Sequence, residues 1–154
     1  MTADRTSSTI LLVEDNPDDI ELTLHAFRRH RLANDVDVVR NGADAIDYLF
    51  ATGNYADRSP DDLPALILLD LHLPKVSGLD VLRRLRASEW GHAVPVVILT
   101  TSDSEQDLIQ GYRLGVNSYI RKPVDFDEFS RVIEQVGLYW LVLNLAPPRS
   151  GGGA

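Results

Sequence analysis

ALILLDLHLPKVSGLDVLRRLR, residues 65–86, decides how the rest of the chain is read. Its first five residues, Ala65–Leu69, are apolar without a break. That suits a strand covered on both faces at the centre of a parallel sheet, since a strand with one solvated face would alternate. Asp70 ends the run. A short turn-rich stretch follows, and Leu79–Arg86 then reads as a helix. Strand, acidic residue, loop and helix make half of a β-α repeat.

The same unit recurs on both sides. Upstream, Thr9–Val13 (TILLV) reads as a buried strand. Asn16-Pro17 opens a helix, because Asn caps well, Pro suits the first helical position, and Asp18 and Asp19 complement the positive helix end. Ile20, Leu24 and Phe27 fall on its inner face. Val36–Val39 is a second strand, and Gly42–Phe50 is a second helix with Ala45, Ile46 and Leu49 apolar. Thr52–Pro64 is a loop rich in Gly, Asn, Asp, Ser and Pro, long for a compact domain and read as partly disordered or a contact surface. Downstream, Val94–Leu99 is a fourth strand. Ser102-Asp103-Ser104-Glu105 matches a capping box, and Gly115 is placed to end that helix in a left-handed cap. Ser118–Ile120 is a fifth strand, and a last helix opens at Asp125–Glu128, with Phe126, Phe129, Ile133 and Val136 as its core stripe. Right-handed crossovers turn this alternation into an open parallel sheet with helices on both faces.

Length and charge bound the function. The 154 residues suit one domain: residues 1–8 as a disordered N-terminus, 9–146 as the folded unit with an extended last helix, and 147–154 (PPRSGGGA) as a disordered tail. There is no Cys, so there is neither a disulfide framework nor a thiolate metal site. The net charge of −8 argues against bulk nucleic-acid affinity. No DNA-binding module has room to follow the domain. No apolar run is long enough to span a bilayer, and the polar start lacks the core of a signal peptide, so a cytoplasmic location away from membranes is expected.

Ligands of such sheets bind beyond the carboxyl ends of the strands. Glu14 and Asp15 follow the first strand, Asp70 the third, Thr100 the fourth and Lys122 the fifth. One Asp after a strand is ordinarily a turn or cap residue. Three carboxylates, a hydroxyl and an ammonium, each at the end of a strand, are a different matter. Clustered carboxylates repel one another and call for a hard cation. Mg²⁺ takes oxygen ligands and accepts a few carboxylates together with phosphate oxygens. A carboxylate can also act as nucleophile toward a phosphoryl group. Transfer then depends on positioning and on neutralising the phosphoryl oxygens, for which Mg²⁺, Lys122 and the Thr100 hydroxyl are suited.

The runs LLVEDNPDD, LILLDLHLPKVSGLDVLRRLR, PVVILTTS and SYIRKPVD, in this order and spacing, resemble the receiver domains of two-component response regulators over about Ile10 to Val136. The resemblance implies a flavodoxin-like α/β fold, a doubly wound five-stranded parallel sheet in the order 2-1-3-4-5. It implies Asp70 as the phosphorylated residue. Asp15 becomes a direct Mg²⁺ ligand, Glu14 a member of the acidic pair acting through water, and the backbone carbonyl of His72 the third protein ligand. Lys122 bridges to the phosphoryl group, with a cis bond to Pro123. Thr100 and Tyr119 form a switch pair. Two departures stand out: Glu14 replaces the commoner Asp, and Thr101 stands where the family often has Ala or Gly, tightening access to the phosphoryl group.

NPDD, RNGADAIDYLF, GNYADRSP, SGLDVL, LTTS and YWLVLNLAPP further resemble the single-domain regulators that serve bacterial and cyanobacterial phytochromes. That implies a light-sensing histidine kinase as partner. Two rivals remain. An aspartyl-phosphate phosphatase of the haloacid dehalogenase type would want a second Asp two residues after the nucleophile, where His72 stands. A non-phosphorylated scaffold would not need Asp15, Asp70, Thr100 and Lys122 together. The histidines are scattered; His25 and His30, on or just beyond the first helix, read as solvated, and Arg83-Arg84-Leu85-Arg86 as a solvated helix face. Finally, the last helix runs on through Gly137–Leu145, apolar on nearly every side. Tyr139, Trp140, Leu141 and Leu143 are therefore candidates for a homodimer interface that includes the face carrying Tyr119.

Overall fold

A computed structural model describes residues 9–30 and 35–145. Strands and helices alternate: β1 (Thr9–Val13), α1 (Pro17–His30), β2 (Asp35–Val39), α2 (Gly42–Phe50), β3 (Leu66–Leu69), α3 (Gly78–Arg86), β4 (Val96–Thr100), α4 (Glu105–Arg113), β5 (Ser118–Arg121) and α5 (Phe126–Gly137). All pairings are parallel, and the sheet order is 2-1-3-4-5, as expected. The expected termini at residues 1–8 and 146–154 lie outside the described residues.

The unbroken apolar strands divide by parity. Ile10, Leu12, Leu66, Leu68, Val97 and Leu99 face one side, where Ile20 and Phe27 of α1 and Phe129, Ile133 and Val136 of α5 cover them. Leu11, Val13, Ile67, Leu69, Val96 and Ile98 face the other, against Ala45, Ile46 and Leu49 of α2 and Val81, Leu82 and Leu85 of α3. A period of two in the pleat thus feeds two cores. Each fully buried Leu or Ile contributes roughly 1.5–3 kcal/mol.

Each of α1–α5 starts on a side-chain cap. Asn16 Oδ1 accepts from the amides of Asp18 and Asp19 at 2.9 and 3.1 Å. Asn41, Ser77 and Asp125 accept from the third amide of α2, α3 and α5. At α4 the cap is Ser104, which accepts from Asp107 N at 3.2 Å; the expected capping box beginning at Ser102 does not form. Ser102 sits one bend earlier and donates to Asp107 Oδ2 at 2.8 Å. The other end of α4 closes as expected: Gly115 has φ +88°, and the amides of Gly115 and Val116 return to Tyr112 O and Gly111 O.

Other boundaries also differ from expectation. β4 starts at Val96, not Val94, because Pro95 has no amide for the ladder and only its carbonyl pairs, accepting from Ile67 N at 3.0 Å. The 52–64 loop is built around a side-chain stack. The Arg58 guanidinium lies 4.0 Å from the Tyr48 ring centroid and donates to Tyr48 O and Asp62 O, and Tyr55 packs edge-on to Tyr48. Phe126 is 54% exposed, so it is not part of the core stripe. It opens α5 beside Val124, which is fully exposed.

Beyond α5 the chain keeps winding but widens. Leu138–Leu143 is a π-helix, and Asn144 N donates to Tyr139 O, five residues back. The continuation expected through Leu145 therefore stops at Leu143. Nor is it uncovered on every side, because Trp140 and Leu141 pack against the α1–α5 core. Tyr139 and Leu143 are exposed. Among the described residues no helix is long and apolar enough to cross a membrane.

Candidate functional site

The order 2-1-3 makes β1 and β3 neighbours whose outgoing connections leave in opposite directions, so a crevice opens beyond their carboxyl ends. The residues that follow these two strands line it. The Glu14 amide donates to Val39 O at 3.1 Å and the Asp70 amide to Val13 O at 3.0 Å, so both continue the sheet ladder by one step. Their carboxylates are buried, while Asp15 is exposed. One carboxylate oxygen from each of Glu14, Asp15 and Asp70 lies within 4.8 Å of the others.

Lys122 reaches into this cluster from the end of β5. Its amide donates to Thr100 O at 2.8 Å, which fixes its start. Its ammonium lies 2.7 Å from Glu14 Oε1, 2.7 Å from Asp19 Oδ2 and 3.2 Å from Asp70 Oδ2. Burial pushes the Glu14 carboxyl up to about 7, against the pull of the Lys122 ammonium. Burial would lower Lys122, but the hydrogen bonds to Asp19 and Glu14 and the charge of Asp70 outweigh it, so Lys122 is held above its ordinary range and charged. No cis peptide bond occurs among the described residues, so Lys122–Pro123 is trans where the resemblance implied cis. Trans is the intrinsically favoured form, and the ammonium meets all three carboxylates with it.

Thr100 is fully buried at the end of β4, and its Oγ1 accepts from Ser102 N at 3.3 Å. Thr101 is exposed beside it. Tyr119 lies opposite Ile98 in the β4–β5 register and packs on the α2–α3 core. Its hydroxyl is buried without a hydrogen-bond partner, and burial raises its pKa. The His72 amide donates to Asp70 Oδ1 at 3.3 Å, and its exposed ring lies 3.8 Å from Asp107 Oδ2. The rim thus brings together Glu14, Asp15, Asp70 and Lys122, with Thr100 and His72 alongside. Tyr139, Trp140, Leu141 and Leu143 belong to the distant C-terminal turn.

Three residues at or near the rim were not read as site residues from the sequence. Asp19, read as a helix-end charge, is a direct partner of Lys122. Its only sequence signal is its place in the first turn after an N-cap, and the residue it meets lies 103 positions away. Ser102 holds the Thr100 side chain through its amide. Gly78 lets the start of α3 lie against the loop after β3: a Cβ there would sit 2.2 Å from Asp70 O. Away from the rim, the expected solvated face of α3 is only partly so. Arg83 pairs with Asp80 and Arg84 lies over Phe50, but Arg86 turns inward onto four acceptors.

An oxygen-only donor set with three mutually repelling carboxylates and one ammonium suits a small divalent cation. Glu14, Asp15 and Asp70 are the residues that fit it.

Residues 10–134 match the family model described as response regulator receiver domain. The probable methanogenesis regulatory protein FilR2 of Methanothrix harundinacea is 42% identical over 138 residues, 90% of this chain and 86% of that protein. Response regulator Rcp1 of Synechocystis sp. is 36% identical over 132 residues, 86% of this chain and 88% of Rcp1. The crystal structure of the Mn(2+)-bound form of Rcp1 superposes with a TM-score of 0.85 at 32% identity, covering 92% of this chain and 100% of that one. The phosphorylated cyanobacterial phytochrome response regulator RcpA gives 0.86 at 36%, covering 93% and 100%. The bacteriophytochrome response regulator RtBRR gives 0.72 at 50%, covering 94% and 87%.

Proposed function

Because the chain belongs to the response regulator receiver family of two-component signalling, we propose that it accepts a phosphoryl group on Asp70 from a sensor histidine kinase in a Mg²⁺-dependent reaction. The observation that carries this is the convergence of Glu14, Asp15 and Asp70 with the buried ammonium of Lys122 at the strand ends.

An Asp70 carboxylate oxygen attacks the phosphorus of a phosphohistidine. The P–O bond forms as the P–N bond breaks, and the imidazole leaves with the electron pair. Asp15, Asp70 and the His72 carbonyl would hold Mg²⁺, with Glu14 as the other member of the acidic pair. Bound there, Mg²⁺ supplies positive charge to the phosphoryl oxygens. Lys122 bridges to one phosphoryl oxygen, and the Thr100 hydroxyl donates to another. Thr101, at the mouth, limits access. Tyr119 completes the switch: Thr100 gains a partner only in the phosphorylated state, a differential interaction able to bias the ring beside it.

The partner is read as a phytochrome-type kinase, on the likeness to RcpA and RtBRR. A phosphatase is less well supported, since His72 is turned toward Asp107 and no second carboxylate follows Asp70 at that spacing. The protein should incorporate label from such a kinase or from acetyl phosphate, and Asp70→Asn should incorporate none. Stoichiometric label on a folded Asp70→Asn protein refutes the reading, and steady turnover of an external phosphate ester by the parent favours the phosphatase.

The C-terminal turn supports a second element of the reading, a two-fold homodimer. Leu138, Tyr139, Val142, Leu143 and Leu145 are 43–93% exposed, while Trp140 and Leu141 anchor the turn to its own domain. Tyr139 and Leu143 carry the pairing, together with the face bearing Tyr119. Replacing both with Ser should shift the sedimentation of the full chain from dimer to monomer. A parent that is monomeric at micromolar concentration, with and without phosphorylation, refutes it.

A further inference from the structure

Resting on Asp70 as the phosphoryl acceptor, we infer that Asp19 is a positioning residue that competes with the phosphoryl group for the Lys122 ammonium and so limits how much of the protein stays phosphorylated. A lysine ammonium has three hydrogens to donate. Here all three are committed: to Glu14 and Asp19 at 2.7 Å and to Asp70 at 3.2 Å. The loosest of the three is the contact to the acceptor. The Lys122 side chain is only 6% exposed, so the ammonium has no spare donor held by water. Phosphorylation hands the Asp70 contact to the phosphoryl group itself, and a phosphoryl oxygen that draws the ammonium fully to itself must loosen it from Glu14 or Asp19.

Burial decides which contact yields. The Glu14 side chain is 4% exposed and would be left desolvated with no partner for Oε1, whereas that of Asp19 is 21% exposed and can exchange the ammonium for water. Asp19 cannot follow the ammonium inward. Its amide is held by Asn16 Oδ1 at 3.1 Å, and its carbonyl accepts from Thr23 Oγ1 at 2.7 Å, so its backbone is fixed in the first turn of α1. It also stands outside the group of carboxylates that could share one cation. The Asp19–Lys122 pair is made in full only while Asp70 is unmodified. By linkage, an interaction made in one state and weakened in the other favours the first by the difference.

The test is equilibrium binding of beryllofluoride, a phosphoryl stand-in, to the full chain in saturating Mg²⁺. Asp19→Asn and Asp19→Ala are compared with the parent. Asp18→Asn serves as the control: it removes the same charge from the same turn at an exposed residue that does not touch Lys122. The Asp19 variants should bind about three- to tenfold tighter than the parent, on the scale of one charge-assisted hydrogen bond partly replaced by water. Asp18→Asn should stay within about twofold, as for screened surface charge. Asp19 variants that bind no tighter than the parent overturn the inference. So does an equal gain in Asp18→Asn, which would reduce the effect to net charge. A parent that binds no beryllofluoride in Mg²⁺ overturns the phosphoacceptor reading itself.

Discussion

Two cations are sunk into opposite ends of the same sheet, and their partners are of opposite kinds. Lys122, at the carboxyl ends of the strands, meets only carboxylates: Glu14, Asp19 and Asp70. Arg86, at the amino ends, meets only neutral acceptors. It donates to Gly115 O at 3.0 Å, Gly91 O at 3.1 Å, Val94 O at 2.7 Å and Asn117 Oδ1 at 2.9 Å. Asn117 Oδ1 in turn accepts from Val96 N, so the cluster ties the entries of β4 and β5 to the end of α3. Burial lowers the Arg86 pKa without making it neutral. Backbone carbonyls are fixed by the chain and do not repel one another strongly, so this cluster holds the strand entries together and serves the fold. Carboxylates repel, and a single ammonium does not balance them. Their cluster admits a further cation and can be repartitioned, and that suits a site of chemistry.

The sharpest way to break the comparison is to remove each charge while keeping the stem. Arg86→Met takes the shared donor from three carbonyls and an amide oxygen, those of Gly91 and Val94 being part-buried, and denaturant unfolding should show a loss of about 2–4 kcal/mol. Mg²⁺ should restore none of it. Lys122→Met leaves Glu14 and Asp70 without their counter-ion, and its loss of stability should be largely recovered by Mg²⁺, which replaces one positive charge with two. Equal Mg²⁺ recovery in both variants would show that the two ends do not differ in kind.

A smaller effect tests the carboxylate end alone. A cation that binds only the folded state stabilises by mass action, about 1.4 kcal/mol at tenfold over its dissociation constant. In a domain of this size that is roughly 3–5 °C in melting temperature. The parent should gain this between EDTA and excess Mg²⁺, and Asp15→Asn should gain much less. A parent melting curve that does not change would remove the cation from the site.

Much of this was legible in the residue order. The five runs read as strands became five parallel strands, and Asn16 and Asp125 each fixed a helix start through a contact two or three residues on; Asn41 and Ser77 do the same, though their runs are read only from the apolar residues inside them. Local signals misled where two candidates stood side by side. Ser102 and Ser104 both resemble caps, and the hydroxyl that faces the third amide is that of Ser104. Phe126 shares the spacing of Phe129 and Ile133, but periodicity alone does not say where the covering sheet ends. Arg86 looks like its neighbours Arg83 and Arg84 in sequence. Two of its four acceptors, Gly115 O and Asn117 Oδ1, reach it only through the return of the chain.

The sequence by itself determined the strand and helix alternation, the two-sided burial of the sheet, and the placing of Glu14, Asp15, Asp70, Thr100 and Lys122 after strands. These follow from hydrophobic period and capping chemistry, which act over a few residues. Tertiary structure alone decided which charges meet. It gave Lys122 the carboxylate of Asp19 as well as those of Glu14 and Asp70, turned Arg86 inward, and set Trp140 against its own domain while leaving Tyr139 in solvent. The physical reason is distance along the chain. Partners 29 to 108 residues apart are joined only when the sheet order brings their strand and helix ends together, and no local pattern records that order.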